Sequence, residues 1–267
     1  MILGSDEMTA RTNFAHPGCY ARALKDCSKT ISREHYVSTA VSELLGDEHR
    51  ITNASWLSPG QESAGIPTSA LGSKILCERH NCALSALDAQ AKAFFTELVW
   101  GLSDSPPRVR HRHVTVDGDR LELWLLKACC GALASGNLVE RGCTIVRQPP
   151  REWLDLLFCG RRWENGAGLH IRQATLTPHR GYTIGPAYLA DTWIGGGFEF
   201  VGVELFVLLS DAEKRILEQS TGEMSALIHR PGAIKIESRK RTAEITLHWQ
   251  AWVAREGVRY VHARCAK

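Results

Sequence analysis

Four residues in the first third of the chain have types suited to holding a metal ion: Cys19 and Cys27, then Cys77 and His80. The second pair, in "CERH", has the two-residue gap that lets one turn of chain wrap a single ion. The first pair is wider, with seven residues between. Three thiolates and one imidazole form a soft donor set that suits tetrahedral zinc. The other account is that these are small buried thiols and an unrelated surface histidine, and the wide first gap keeps it open. Cys82 is a spare donor if His80 is not a ligand. A second feature is Glu34-His35, inside "CSKTISREHYVS". An imidazole titrates near neutral pH and can take a proton from water. An adjacent carboxylate can hold a hard cation. The same two residues would serve equally well in an ordinary turn.

These residues need elements to position them. "STAVSELLG" has the pattern of a short helix closed by Gly46. "NASWLSPGQESAGIPTSALGS" is loop-like, with two prolines and three glycines. "SKIL" is a short strand. "NCALSALDAQAKAFFTELVWGL" repeats apolar residues at Leu84, Leu87, Ala91, Phe94, Phe95 and Leu98, the three-and-four spacing of an amphipathic helix, with Asn81 as its N-cap. Prolines and a basic run in "SDSPPRVRHRH" mark a boundary near residues 103 to 113. "DRLELWLLKACCGALASGN" is a largely apolar, buried helix, and "PPREWLDLLFCG" a shorter one entered through proline. From about residue 167 the texture is β-rich: "GLHIRQATL", "YTIGPAYLA", "GFEFVGVELFVLLS", "GAIKIES" and "AEITLHWQAWV". "DAEKRILEQS" has the pattern of a helical insertion, and residues 1 to 16 that of a loose arm.

The chain has 267 residues, of which 44% are hydrophobic and 23% charged, which fits one large or two small folded domains rather than disorder. A net charge of +3 permits contact with phosphates without arguing for it. No run of about 18 apolar residues suggests a membrane span, and the N-terminus lacks an apolar signal core. The expected location is the cytoplasm, where nine cysteines are small hydrophobes or metal ligands rather than disulfides.

"CSKTISREHYVSTAVSELL" followed by "ILCERHNCALSALDAQAKAFF" resembles the HNH, or ββα-metal, endonuclease superfamily over roughly Cys19 to Phe95. The resemblance implies a treble-clef-like zinc knuckle that joins a hairpin to a helix. It makes His35 the general base, Glu34 an acidic residue that holds a divalent cation, and Asn81 a polar residue facing that cation. It makes Cys19, Cys27, Cys77 and His80 the knuckle ligands of a structural zinc. It implies magnesium or another divalent cation for catalysis, nucleic acid as substrate with DNA ahead of RNA, and a place in phage defence or a mobile element. A homo-oligomer or a defence partner protein is compatible with it. The chain departs from the family in several places. The family usually has only two residues between its first two cysteines, and more commonly a cysteine where His80 stands. One turn after Asn81 stands Ser85, a poor ligand, with Asp88 a further turn along as substitute. The family's middle asparagine has no clear match; Asn53 lies in a segment that does not align.

The remaining motifs are weaker. "RVRHRH" (Arg108 to His113) reads first as a solvated linker, with phosphate contact as the alternative. "GRRW" and "ESRKR" read as solvated faces. Trp56, Trp153, Trp163 and Trp193 are packing residues before they are base-stacking ones. "WIGGGFEF" reads as a turn or bulge before a strand, and Cys129-Cys130 as core. The expected architecture is α+β: an HNH-like zinc-knuckle module over 15–102, then a helical plus antiparallel β domain over 105–267. The expected function is a metal-dependent HNH-type endonuclease. The alternative is an inactive, zinc-stabilised protein that binds nucleic acid or a partner.

Overall fold

A computed structural model of the chain describes residues 11–46, 48–52, 58, 61, 63–103, 105–140, 143–145, 148–164, 166–174, 176, 179, 181–189, 192–209, 227–250 and 256–261. In chain order it begins with β1 (Ile31–His35), α1 (Thr39–Ser42), β2 (Glu48–Thr52), β3 (Ser63–Pro67), β4 (Gly72–Cys77) and α2 (Glu78–Leu102). Then come β5 (His111–Asp117), α3 (Gly118–Ser135), β6 (Leu138–Glu140), β7 (Cys143–Ile145) and α4 (Arg151–Phe158). The rest is β8 (Gly168–Arg172), β9 (Tyr182–Leu189), β10 (Thr192–Phe200), β11 (Val203–Leu208), β12 (Leu227–His229), β13 (Ala233–Glu237), β14 (Thr242–His248) and β15 (Gly257–Val261). The fold is therefore mixed α and β, with four α-helices among the described residues. None of these helices is long and apolar enough to cross a membrane.

The chain forms two compact units that alternate in sequence, Met1–Asp88 with Leu126–Arg162, and Ala89–Leu125 with Trp163–Lys267. In the first, β1 and β4 pair antiparallel, and β4 runs directly into α2. α1 ends in a 3-10 turn, Glu43–Leu45, and then Gly46 at φ 116°, a conformation that glycine adopts without a Cβ penalty. α4 follows Pro150 and buries Trp153, Leu154, Leu156 and Leu157, the apolar stripe of a short amphipathic helix.

In the second unit, five antiparallel strands take the order β12-β8-β11-β10-β9. Four more take the order β15-β13-β14-β5, in which β13–β15 and β14–β5 are parallel pairs. The core of this unit gathers Phe95, Trp124, Phe198 and Phe200; ring centroids lie 4.6 Å apart for Phe95–Phe200 and 5.2 Å for Phe95–Trp124. Such tilted aromatic pairs add to the area they bury. Glu122, fully buried in α3, is held by Arg230 and by the N–H of Leu169.

Several expectations need correction. Asn81 is not an N-cap: α2 starts at Glu78, three residues earlier, because the turn of "CERH" is already helical. The loop-like stretch contains β3, which pairs with β2. The glycines of "WIGGGFEF" lie inside β10 rather than before it, with the irregularity between Trp193 and Gly195. Gly195 is needed there: at φ +152° a Cβ would run into the carbonyl of Val207. Half of "RVRHRH" is strand, since His111–His113 opens β5, whose "VTV" continues in β-branched residues. The β-rich part is antiparallel in one sheet and mixed in the other. Trp56, Asn53 and "DAEKRILEQS" lie outside the described residues, as does the side chain of Trp193.

Candidate metal centre and candidate catalytic histidine

The wide gap between Cys19 and Cys27 closes through local geometry. A 3-10 turn at Arg22–Leu24 ends on Lys25 in the left-handed region, φ 54°, and this reverses the chain. Tyr20 N–H donates to the Ile75 carbonyl at 2.9 Å, tying the loop to β4. Cys27 N–H donates to the Phe14 carbonyl at 2.9 Å, so residues just before the loop brace its far end. Arg79, in the first turn of α2, pairs with Asp26 at 3.0 Å. The loop is thereby fastened to both the strand and the helix that carry the second pair of donors.

Cys19, Cys27, Cys77 and His80 converge, with their donor atoms all within 4.8 Å of one another. His80 Nδ1 lies 3.6 Å from Cys19 Sγ, 3.8 Å from Cys27 Sγ and 3.1 Å from Cys77 Sγ. In a tetrahedral zinc site, bonds of ordinary length put sulfur and nitrogen about 3.6 Å apart. The observed spacings bracket that value. All four residues are buried, and the Phe158 ring covers His80 edge-on, with centroids 4.7 Å apart. Burial pushes the Cys19 and Cys27 thiols above their ordinary range. It acts on Cys77 too, but hydrogen bonds from the His80 and Ser28 backbone outweigh it and lower that thiol. Burial also lowers His80, favouring the neutral imidazole that a metal requires. The cluster can hold a metal ion such as zinc. Cys82, the spare donor, is exposed and outside the set.

β1 carries Glu34 and His35 beyond a bulge at Arg33, where the register with β4 shifts between Ser32 and Glu34. Such a bulge re-aims the side chains that follow it. His35 sits opposite Gly72, and a Cβ on Gly72 would come within 3.1 Å of His35 Cε1 and 2.8 Å of Arg33 Nε. The glycine leaves the imidazole its room. His35 Nε2 is shut from solvent and has no hydrogen-bond partner among the described residues. Burial lowers the pKa of His35, the nearby Arg33 guanidinium adds to this, and backbone carbonyls of Thr68 and Ser69 oppose it.

Glu34 points elsewhere. Its Oε1 lies 2.8 Å from Nζ of Lys127, and the same ammonium reaches Asp88 at 3.0 and 3.1 Å. Burial raises the Glu34 pKa, and Lys127 works against that rise. Lys127 was invisible to spacing arguments because it stands alone in the apolar run "LWLLKACCGALA". The signal was the charge itself: a lysine in a helix that must be buried needs an internal anion. Asn81 is half-buried in the first turn of α2, and Ser85 is exposed with its hydroxyl donating to the Cys82 carbonyl at 2.8 Å.

A catalytic divalent cation fits this arrangement poorly. Two of its expected carboxylates already share an ammonium, and among the described residues no second group of three His, Cys, Asp or Glu donors converges. No protein-family model, curated protein or solved structure matches the chain.

Proposed function

We propose that the chain is an HNH-type endonuclease that hydrolyses phosphodiester bonds in nucleic acid, with DNA the preferred substrate. The observation that carries this proposal is His35. Its Nε2 is buried and has no hydrogen-bond partner among the described residues, on the strand whose first residue pairs with Cys77 of the candidate metal site. A neutral imidazole accepts a proton from an attacking water once bound substrate gives that water a path to the nitrogen. The cluster supplies rigidity: zinc bound there would fasten the Cys19–Cys27 loop to the junction of β4 and α2. Glu34, tied to Lys127, fixes the backbone next to the base. Asn81, expected from the sequence to face a cation, would here contact the substrate phosphate instead.

The test is nicking of supercoiled plasmid by purified protein, in chelator and across magnesium, manganese, nickel and zinc, beside His35→Ala. Cleavage that vanishes in the variant supports the enzyme. The Lys127 ammonium between Glu34 and Asp88 favours a second reading, a zinc-stabilised protein that binds nucleic acid or a partner without cutting. Folded, zinc-loaded protein that cuts neither DNA nor RNA under any of these conditions would establish that reading over the first.

A further inference from the structure

Among the described residues β5 is an edge strand, with β14 as its one neighbour in the sheet. Its first three residues, His111, Arg112 and His113, are exposed, as are Arg108 and Arg110 just before it. The turn that leads into β14 exposes Arg239 and Lys240. One buried side chain brings these two segments together. Arg241 Nη1 donates to the Trp100 carbonyl at 2.8 Å and Nη2 to the Ser105 carbonyl, tying the segment before β5 to the turn before β14. The Thr242 N–H donates to the Arg110 carbonyl at 2.8 Å, which closes the same junction.

The result is five permanent positive charges, Arg108, Arg110, Arg112, Arg239 and Lys240, at one corner of the sheet. Among the described residues, the acidic groups near them are Glu97, which pairs with Arg112 at 3.5 Å, Glu244, opposite His113, and Glu237, just before the turn and already paired with Lys235 and Arg259. Among the described residues, Arg108, Arg110 and Arg239 have no carboxylate within ion-pair distance. A basic edge strand also deters pairing with other chains. That purpose would be met by charges on the strand itself, whereas here the charge continues onto the preceding segment and the neighbouring turn.

We propose that this corner docks the phosphate backbone of duplex DNA, independently of base sequence; the proposal rests on the nucleic-acid reading above. Duplex is favoured over single strands by what the corner lacks. Single-strand sites use exposed aromatic rings as stacking platforms. Among the described residues of this corner, Val109 is exposed but no Phe, Tyr or Trp is, and the Trp100 ring is covered by Arg112 and Arg241 at 5.0 and 4.9 Å. Guanidinium groups without local counter-charge suit a dense array of phosphates.

The test is fluorescence anisotropy of the full-length protein with a labelled random-sequence DNA duplex, titrated over a range of KCl concentrations. One variant carries Arg108→Ala, Arg110→Ala and Arg239→Ala. A control removes three charges elsewhere, through Lys92→Ala, Arg120→Ala and Arg162→Ala. Circular dichroism verifies that both fold. The first variant should bind several-fold more weakly and lose about 3 from the slope of log K against log salt, roughly one per phosphate contact, while the control keeps most of both. Equal losses in the two variants, unchanged binding in the first, tighter binding of single strands by the wild type, or no duplex binding at all would each overturn the proposal. His35-dependent cleavage with no role for this corner would sink the docking surface alone. Duplex binding at this corner without cleavage would sink the nuclease alone.

Discussion

Nζ of Lys127 lies 2.8 Å from Oε1 of Glu34, and both side chains are almost dry, at 2% and 6% exposure. A carboxylate this deep needs a cation, and the residue beside it is the candidate base. Removing the lysine leaves an anion stranded. Lys127→Met keeps the volume and removes the charge, so it should cost about 3–5 kcal/mol, while Lys127→Met with Glu34→Gln recovers most of that. Urea unfolding measures both. A loss under about 1 kcal/mol in the single variant would mean that the pair carries no such weight. Asp88 is partly exposed and should tolerate Asp88→Asn with a much smaller loss.

Purified protein should carry close to one zinc per chain by elemental analysis, because a buried set of three thiolates and one imidazole binds tightly enough to survive purification. Cys77→Ser should abolish the zinc and lower the melting temperature, as should a strong chelator. Zinc below about 0.2 per chain would rule out a metal role for the cluster.

The pH dependence follows from His35. Its folded-state pKa is lowered below the ordinary 6.5, mainly by burial and then by Arg33. Lys127 lowers it further, and the Thr68 and Ser69 carbonyls oppose. A depressed folded pKa gives stability that is present above the unfolded value and is lost as pH falls through the folded one. In the proposed nuclease, His35 is likewise active when neutral. Cleavage should therefore be level at pH 7 and fall on an acid limb whose midpoint lies below 6.5. A midpoint above 7 in a pH–rate profile would remove His35 as the group responsible.

Gly131 lies within α3, where alanine is ordinarily about 1 kcal/mol better than glycine. Here an added Cβ would press on the Cβ of Tyr36 and come within 3.2 Å of its backbone Cα. Gly131→Ala should therefore destabilise by about 1–3 kcal/mol, the cost of overpacking, against the helix propensity. Thermal melting decides the sign, and a stabilised variant would show that the contact relaxes freely.

The sequence by itself determined the local pieces. The two-residue gap between Cys77 and His80, the three-and-four repeat from Leu84 to Leu98, and the β-rich runs after residue 167 are periodic or short-range signals, set by a few neighbouring residues. Even there it misplaced the start of α2, because "CERH" has no apolar period to announce a helix. Tertiary structure decided what depends on distant partners. It closed the seven-residue gap between Cys19 and Cys27 through a left-handed Lys25, and it seated Cys27 beside Phe14. It also turned Glu34 away from an expected cation and onto Lys127, 93 positions later in the chain. A buried charge selects its counter-charge in space, and nothing in the spacing of "REH" records which helix will bring one.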